Sequence, residues 1–379
     1  METGEMIVLA LASVAILPLN GRAFSQCFDE YSGKNAYEDY LMAADIVSGW
    51  QPARAISNYY KIDPIEADRK AVRDLGRACD LIRIGNRKPA NYPLDDDPFT
   101  MSFAHVVGYK EAAKLLLCEA RVRLADGDKD GATQSLIDNM AFANQVDGVY
   151  LMDYLGSVAI WVLTLREFDH QKEELTGPHL RNLRTFLEHH AEETPAVLGP
   201  IEKELTAYEK QLPQLFLGPL SDDGSGDVPK EVAKLNRYTA APYYPKVVAE
   251  LKKERSEIST MLAGPVSSWR VLRRDHPDPV IRYFLELGPP GEITTVAAAK
   301  HAIRVRLAIL HCHVMEFKIE HGRLPAHLAE LGPADLSFDE ASQDQFEYVR
   351  RGGNYVLFSK GSAVTGKVEL TPPPKPEGA

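Results

Sequence analysis

The chain has 379 residues, more than one hydrophobic core usually organises, so two packed units are expected. Hydrophobic residues make up 45% of it, which excludes wholesale disorder and a polytopic membrane protein. The 54 acidic residues outnumber the 43 basic ones, and the resulting formal charge of -11 sets the field against phosphate backbones, so no nucleic-acid partner is expected.

Residues 6–19 form one apolar run interrupted only by Ser13 and Pro18. The run is short for a membrane span and suits the apolar region of a signal peptide. Ala23 and Ser25 put small residues three and one positions before Gln26, so cleavage after Ser25 is expected. That places the mature protein in the periplasm or outside the cell, with no membrane span. The segment before the run has no lysine or arginine, which leaves a retained N-terminal anchor, or translation from Met6, as alternatives.

Four cysteines, Cys27, Cys79, Cys118 and Cys312, allow three full pairings in an exported chain. Cys118 and Cys312 fall in helical patterns dense in Leu, Ile and Ala and read as small core hydrophobes. Cys27 and Cys79 are the better candidates for a disulfide.

Between residues 103 and 124, Tyr109, Ala113, Leu116, Ala120 and Leu124 recur at three- and four-residue steps, with charged residues between them. The spacing predicts an amphipathic helix. The run Asp126-Gly127-Asp128-Lys129-Asp130-Gly131 breaks it, and residues 132–146 resume it, which predicts a helical hairpin. A third helix is expected over residues 150–168. Pro178 and Thr194-Pro195 open two more, over 180–190 and up to Leu212. Residues 213–229, polar and Gly-rich, are expected to form a mobile loop. Residues 232–262 read as mostly helical with breaks near Pro242 and Pro245, and Gly288-Pro289-Pro290-Gly291 as a hinge.

The last unit opens with a helix over residues 294–321, in which Ile303, Leu307, Leu310, Val314 and Phe317 form a narrow seam. Gly322 caps it and Pro325 stops it. Residues 346–349 and 355–359 predict two strands around a turn at residues 350–354, and Tyr348, Val356 and Phe358 are expected to cover the seam. His311 and His313 are placed outside the seam, on a solvated face.

The long helix, its His321-Gly322-Arg323-Leu324-Pro325 stop and the Tyr355-Val356-Leu357-Phe358-Ser359 strand resemble the globular part of type II secretion major pseudopilins. From about His105 onward the chain is also similar to uncharacterised exported proteins of planctomycete-type bacteria, on Glu119-Ala120-Arg121, Gly127-Asp128 and Gly131-Ala132. The resemblance implies a helix-plus-hairpin module. About three quarters of the chain precedes that helix, so filament assembly by the pseudopilin route is not implied. The segment that binds calcium in pseudopilins is represented here by Asp339 and Glu340.

The resulting fold class is mainly α: an all-α body plus a C-terminal α+β module. The boundaries are 1–25 for the signal peptide, 26–291 for the helical domain, 292–366 for the module and 367–379 for a disordered tail.

Candidate chemistry is sparse. Asp126, Asp128, Asp130 and Gly131 match the first half of an EF-hand loop, but the twelfth position is Ile137 and the nearest carboxylate, Asp138, comes one residue late. A turn in which Asp128 or Asp130 caps the next helix accounts for the same residues. His311 and His313 sit about 200° apart on a helix and cannot share a metal, whereas His313 and Glu316 could. His189-His190-Ala191-Glu192-Glu193 reads as a helix end, Trp50, Trp161 and Trp269 as core, and Arg270, Arg273, Arg274 and His276 as a solvated basic cluster, with an anion contact as the alternative. No residue is assigned to catalysis, to a cofactor or to a metal. The expected function is that of an exported, non-enzymatic protein acting through contacts with envelope proteins. An extracytoplasmic hydrolase with its site between helices is the alternative.

Overall fold

A computed structural model describes residues 34–50, 64–92, 104–148, 150–192, 198–217, 230–235, 237–264, 266–270, 276–286, 291–332 and 334–370. The expected signal peptide, Cys27, Arg273, Arg274 and residues 371–379 lie outside these. The protein is mainly helical with a small antiparallel C-terminal part, the fold class expected.

The first six helices are α1 (Ala36–Ile46), α2 (Pro64–Gly85), α3 (Ala104–Ala125), α4 (Lys129–Gln145), α5 (Leu151–Gln171) and α6 (Gly177–Glu192). α3 and α4 form the expected hairpin. Gly127 turns the chain at φ +82°, and the Asp128 side chain caps α4 by accepting from the Gly131 N–H at 2.9 Å. α3 is more deeply buried than an amphipathic stripe predicts, because α1, α2, α4 and α5 all pack on it. Its Glu119 is therefore buried, and it takes ion pairs from Arg83 of α2 and Arg123. Arg83 also reaches Asp138 of α4 at 2.7 Å. Such a paired network satisfies charges that burial would otherwise penalise heavily.

A second group comprises α7 (Leu198–Leu217), α8 (Lys230–Ala233), α9 (Arg237–Ala240), α10 (Tyr244–Leu262) and α11 (Pro279–Glu286). Its core holds Tyr208, Leu212, Phe216, Leu251 and Phe284, with Phe216 and Phe284 stacked at 4.0 Å. Residues 213–217, expected in a loop, belong to α7. Pro213 is tolerated inside that helix because Leu212 and Phe216 beside it are buried.

α12 (Gly291–His321) runs through both cores. Ala297, Ala298 and Ala299 belong to the second, whereas Ile303 to Met315 belong to the first, packed mainly against α5 and α6. The division expected at residue 291 therefore does not separate two cores. The narrow seam is also corrected. Ile303, Leu307, Leu310 and Val314 are buried, but so are Val305, Ala308, Ile309, His311, Cys312 and Met315, and Phe317 is only half-buried. Partners cover most of its circumference and leave Ala302, Arg306, His313 and Phe317 half-buried, so one narrow apolar stripe cannot describe it.

The C-terminal part contains β1 (Phe338–Asp339), β2 (Asp344–Gln345), β3 (Glu347–Arg351) and β4 (Asn354–Phe358), paired as β1–β2 and β3–β4. In the second hairpin Arg351 faces Asn354 across Gly352-Gly353, with Gly352 at φ +61°. Pairing of Tyr348 with Leu357 and Arg350 with Tyr355 puts Phe346, Tyr348, Tyr355 and Leu357 on the inner face. Val356 and Phe358, expected there, point the other way by strand parity, and Phe358 instead carries Lys367 over its ring. Residues 367–370, assigned to the tail, are held: Val368 exchanges both backbone hydrogen bonds with Ser359, and Val368 and Leu370 are buried.

Candidate functional site

Where the two cores meet, the C-terminal end of α4, α5, α6, the end of α10 and α12 enclose a cleft of about 330 Å³. Tyr154, Ser157 and Trp161 project into it from α5, spaced three and four residues apart and so on one helix face. Asn144 and Asp147 come from the end of α4, His190 from the last turn of α6, and His301, Val305 and Arg306 from α12. Trp269 and Gly264 close one wall, and Glu340 reaches the rim, where it pairs with Arg306 at 2.6 Å.

The floor is an aromatic cluster. Trp161 stacks on His190 with ring centres 4.3 Å apart and planes 22° from parallel, and its indole N–H donates to Asn144 at 3.0 Å. His301 leans on the same indole at 5.2 Å, and its Nε2 lies 3.1 Å from Nε2 of His190. Burial, with further depression by His190 and Arg304, lowers the His301 pKa to about 3, so the ring stays neutral. The Tyr154 hydroxyl and Nδ1 of His301 are buried without a hydrogen-bond partner among the described residues. Groups of this kind are satisfied by water or by a ligand.

Asp147 lines the cleft, and the charge of Asp153, outside the lining, acts on it and on Glu204. Burial, reinforced by the charge of Asp153, raises Asp147 to about 6. Glu204 of α7 accepts from the Leu151 N–H at 2.7 Å, yet burial, with Asp153 adding, holds it at about 7. Asp153 itself binds His105 Nε2 at 2.8 Å and accepts from the Tyr150 N–H.

The residues singled out from sequence are placed elsewhere and apart. Asp126 pairs with Arg69, Asp128 caps α4, and Asp130 contacts His179 Nε2 at 2.8 Å. The three carboxylates thus serve three partners, as a turn requires. Asp339 accepts from Ala341, Ser342 and Ser359, whereas Glu340 goes to Arg306. His311 is not solvated: it is buried, with Nδ1 2.8 Å from the Tyr355 hydroxyl, and burial lowers it to about 3. His313 is half-buried, 3.8 Å from Glu188, and Glu316 is buried beside Arg184. Cys79 lies in the first core, its thiol pushed up to about 12 by burial; Cys79, Cys118 and Cys312 are unbridged among the described residues. Arg270 pairs with Glu257, and His276 accepts from the Asp278 N–H.

Of the cleft residues, sequence reasoning named only Trp161, Trp269, His190 and Glu340, and none of the histidines and tryptophans for this role. His301, Asp147 and Tyr154 were missed, as was the buried carboxyl of Glu204, which lies outside the lining. The available signal was His301 itself, an imidazole that with Lys300, Arg304 and Arg306 interrupts an otherwise apolar stretch of the helix. Among the described residues no group of three or more His, Cys, Asp or Glu is arranged to hold a metal, and no helix is long and apolar enough to cross a membrane. Comparison with protein-family models, curated proteins and solved structures finds no match.

Proposed function

We propose that this protein is exported and works in the cell envelope by binding, with the cleft over Trp161 as its binding site. The observation that carries this reading is the buried hydroxyl of Tyr154, a cleft residue, which has no hydrogen-bond partner among the described residues and lies beside a floor of stacked aromatic rings. An apolar concavity with a few convergent polar groups is the usual form of a small-molecule site. The donors at hand, Tyr154, His301 and Arg306, suit a compact apolar ligand with an acceptor end, such as an aromatic carboxylate. Export is supported by the apolar run at residues 6–19 and by the resemblance of the C-terminal module; contacts with envelope proteins belong to the same proposal.

Calorimetric titration with benzoate and indole acetate tests the reading. Binding that is saturable in the wild type and lost in Ala302→Phe, which fills the cleft, is the expected result. Equal binding by both proteins would sink it.

A second reading, an extracytoplasmic hydrolase, is favoured by Asp147, whose pKa near 6 lets it exchange protons close to neutral pH. Hydrolysis of p-nitrophenyl esters that is abolished by Asp147→Asn would move this reading to first place.

A further inference from the structure

The cleft joins two imidazoles that lie 111 residues apart in sequence. We propose that Nε2 of His190 and Nε2 of His301 together bind one transition-metal ion of the zinc class, a step that rests on the cleft being the working site. Metal–imidazole bonds are about 2.0–2.1 Å long, so two nitrogens 3.1 Å apart subtend roughly 98° at a shared ion. That lies between the roughly 90° of an octahedral centre and the roughly 109° of a tetrahedral one. A single shared proton is the competing cause of such a close contact, since one neutral ring can donate to the other.

The surroundings favour the ion. The two rings stand on α6 and α12, which pack extensively on each other, and Trp161 fixes the plane of His190 while its own N–H is held by Asn144. Ligands locked before the ion arrives lose little freedom on binding it. Both residues also line the cleft, which has room for water or a bound molecule beside them. The described residues supply no third His, Cys, Asp or Glu in ligand geometry, so the chain contributes two ligands and the cleft's occupant the rest. Arg304 lies within electrostatic range of His301. An anionic donor such as a carboxylate therefore completes the shell better than a neutral one.

The test uses the tag-free full chain, freed of metal with a chelator, and titrates zinc chloride and copper(II) chloride separately, followed by calorimetry and tryptophan emission. One ion should bind saturably, copper more tightly than zinc. Copper should quench an emission component that Trp161→Phe removes, because that indole lies against His190. His190→Gln and His301→Gln should each weaken binding by about tenfold or more. No saturable uptake of either ion by the wild type, or uptake unchanged in both glutamine variants, overturns the proposal. If a variant fails to fold, the imidazole nitrogen resonances of the wild type decide: zinc must shift Nε2 of two histidines, and assignment of those two to any other pair is fatal. Benzoate separates this proposal from the reading it rests on. Benzoate bound by a chain that takes up no metal leaves the cleft standing and ends the metal site, whereas metal uptake without benzoate binding supports the site and counts against the aromatic-acid reading.

Discussion

Nδ1 of His311 lies 2.8 Å from the hydroxyl of Tyr355, a contact that ties α12 to β4 of the C-terminal hairpin. Burial keeps the imidazole neutral, so the bond is between uncharged groups. His311→Ala leaves the Tyr355 hydroxyl without that partner and should cost about 1–3 kcal/mol. Leu310→Ala, at a fully buried neighbour, should cost about 2–5 kcal/mol through lost transfer energy and the cavity left behind. His313→Ala, half-buried, should cost less than either. Urea unfolding of the three variants checks the order, and a silent His311→Ala would contradict the assigned contact.

Arg83 bridges Glu119 and Asp138 in the first core. Arg83→Met leaves Glu119 with Arg123 as its remaining cation and Asp138 with only the Gln134 amide, so it should destabilise by about 3–5 kcal/mol. Arg69→Ala, which removes a solvent-exposed pair with Asp126, should change stability far less, because water and salt screen that pair. Similar losses from the two substitutions in chemical unfolding would show that burial does not set their ranking.

Asp128 caps α4 through the Gly131 N–H. Asp128→Ala should lower stability by about 1 kcal/mol, and Gly127→Ala, at φ +82°, by a comparable amount. Calcium titrated into the wild type should give no saturable heat. Tight calcium binding abolished by Asp126→Ala would instead make this turn a cation loop.

Two pairs of buried groups oppose each other in the pH dependence of stability. Glu204 and Asp147 are raised to about 7 and about 6 from 4.5 and 3.8, so the folded chain keeps protons that the unfolded chain releases. Their contribution is present at low pH and is lost as the pH rises towards 7. His301 and His311, lowered from 6.5 to about 3, contribute above pH 6.5 and lose that contribution on acidification. Glu204→Gln keeps the acceptor for the Leu151 N–H but removes one titration. Its stability relative to the wild type should therefore rise between roughly pH 4.5 and 7. Urea midpoints measured across that range test it, and a constant offset would show that Glu204 titrates at its ordinary value.

The sequence by itself determined the helical class, the α3–α4 hairpin and its turn, the stop of the long helix at Gly322 and the existence of the last hairpin. These depend on local period, capping and turn chemistry, which act between residues a few positions apart. Even there, the sheet face was misread, because a one-residue difference in register reverses every side chain. Only the tertiary structure decided which helix sides are buried. α12 looked like a one-sided seam until α5, α6 and the hairpin enclosed it, and that enclosure moved His311 from solvent to core. The cleft depended on the same long-range packing: His190 and His301 meet on Trp161 because three helices cross there, and the raised pKa values of Asp147 and Glu204 follow from burial and from Asp153. Nothing in the spacing of those residues along the chain encodes that meeting, since both distance and dielectric are set by which helices pack together.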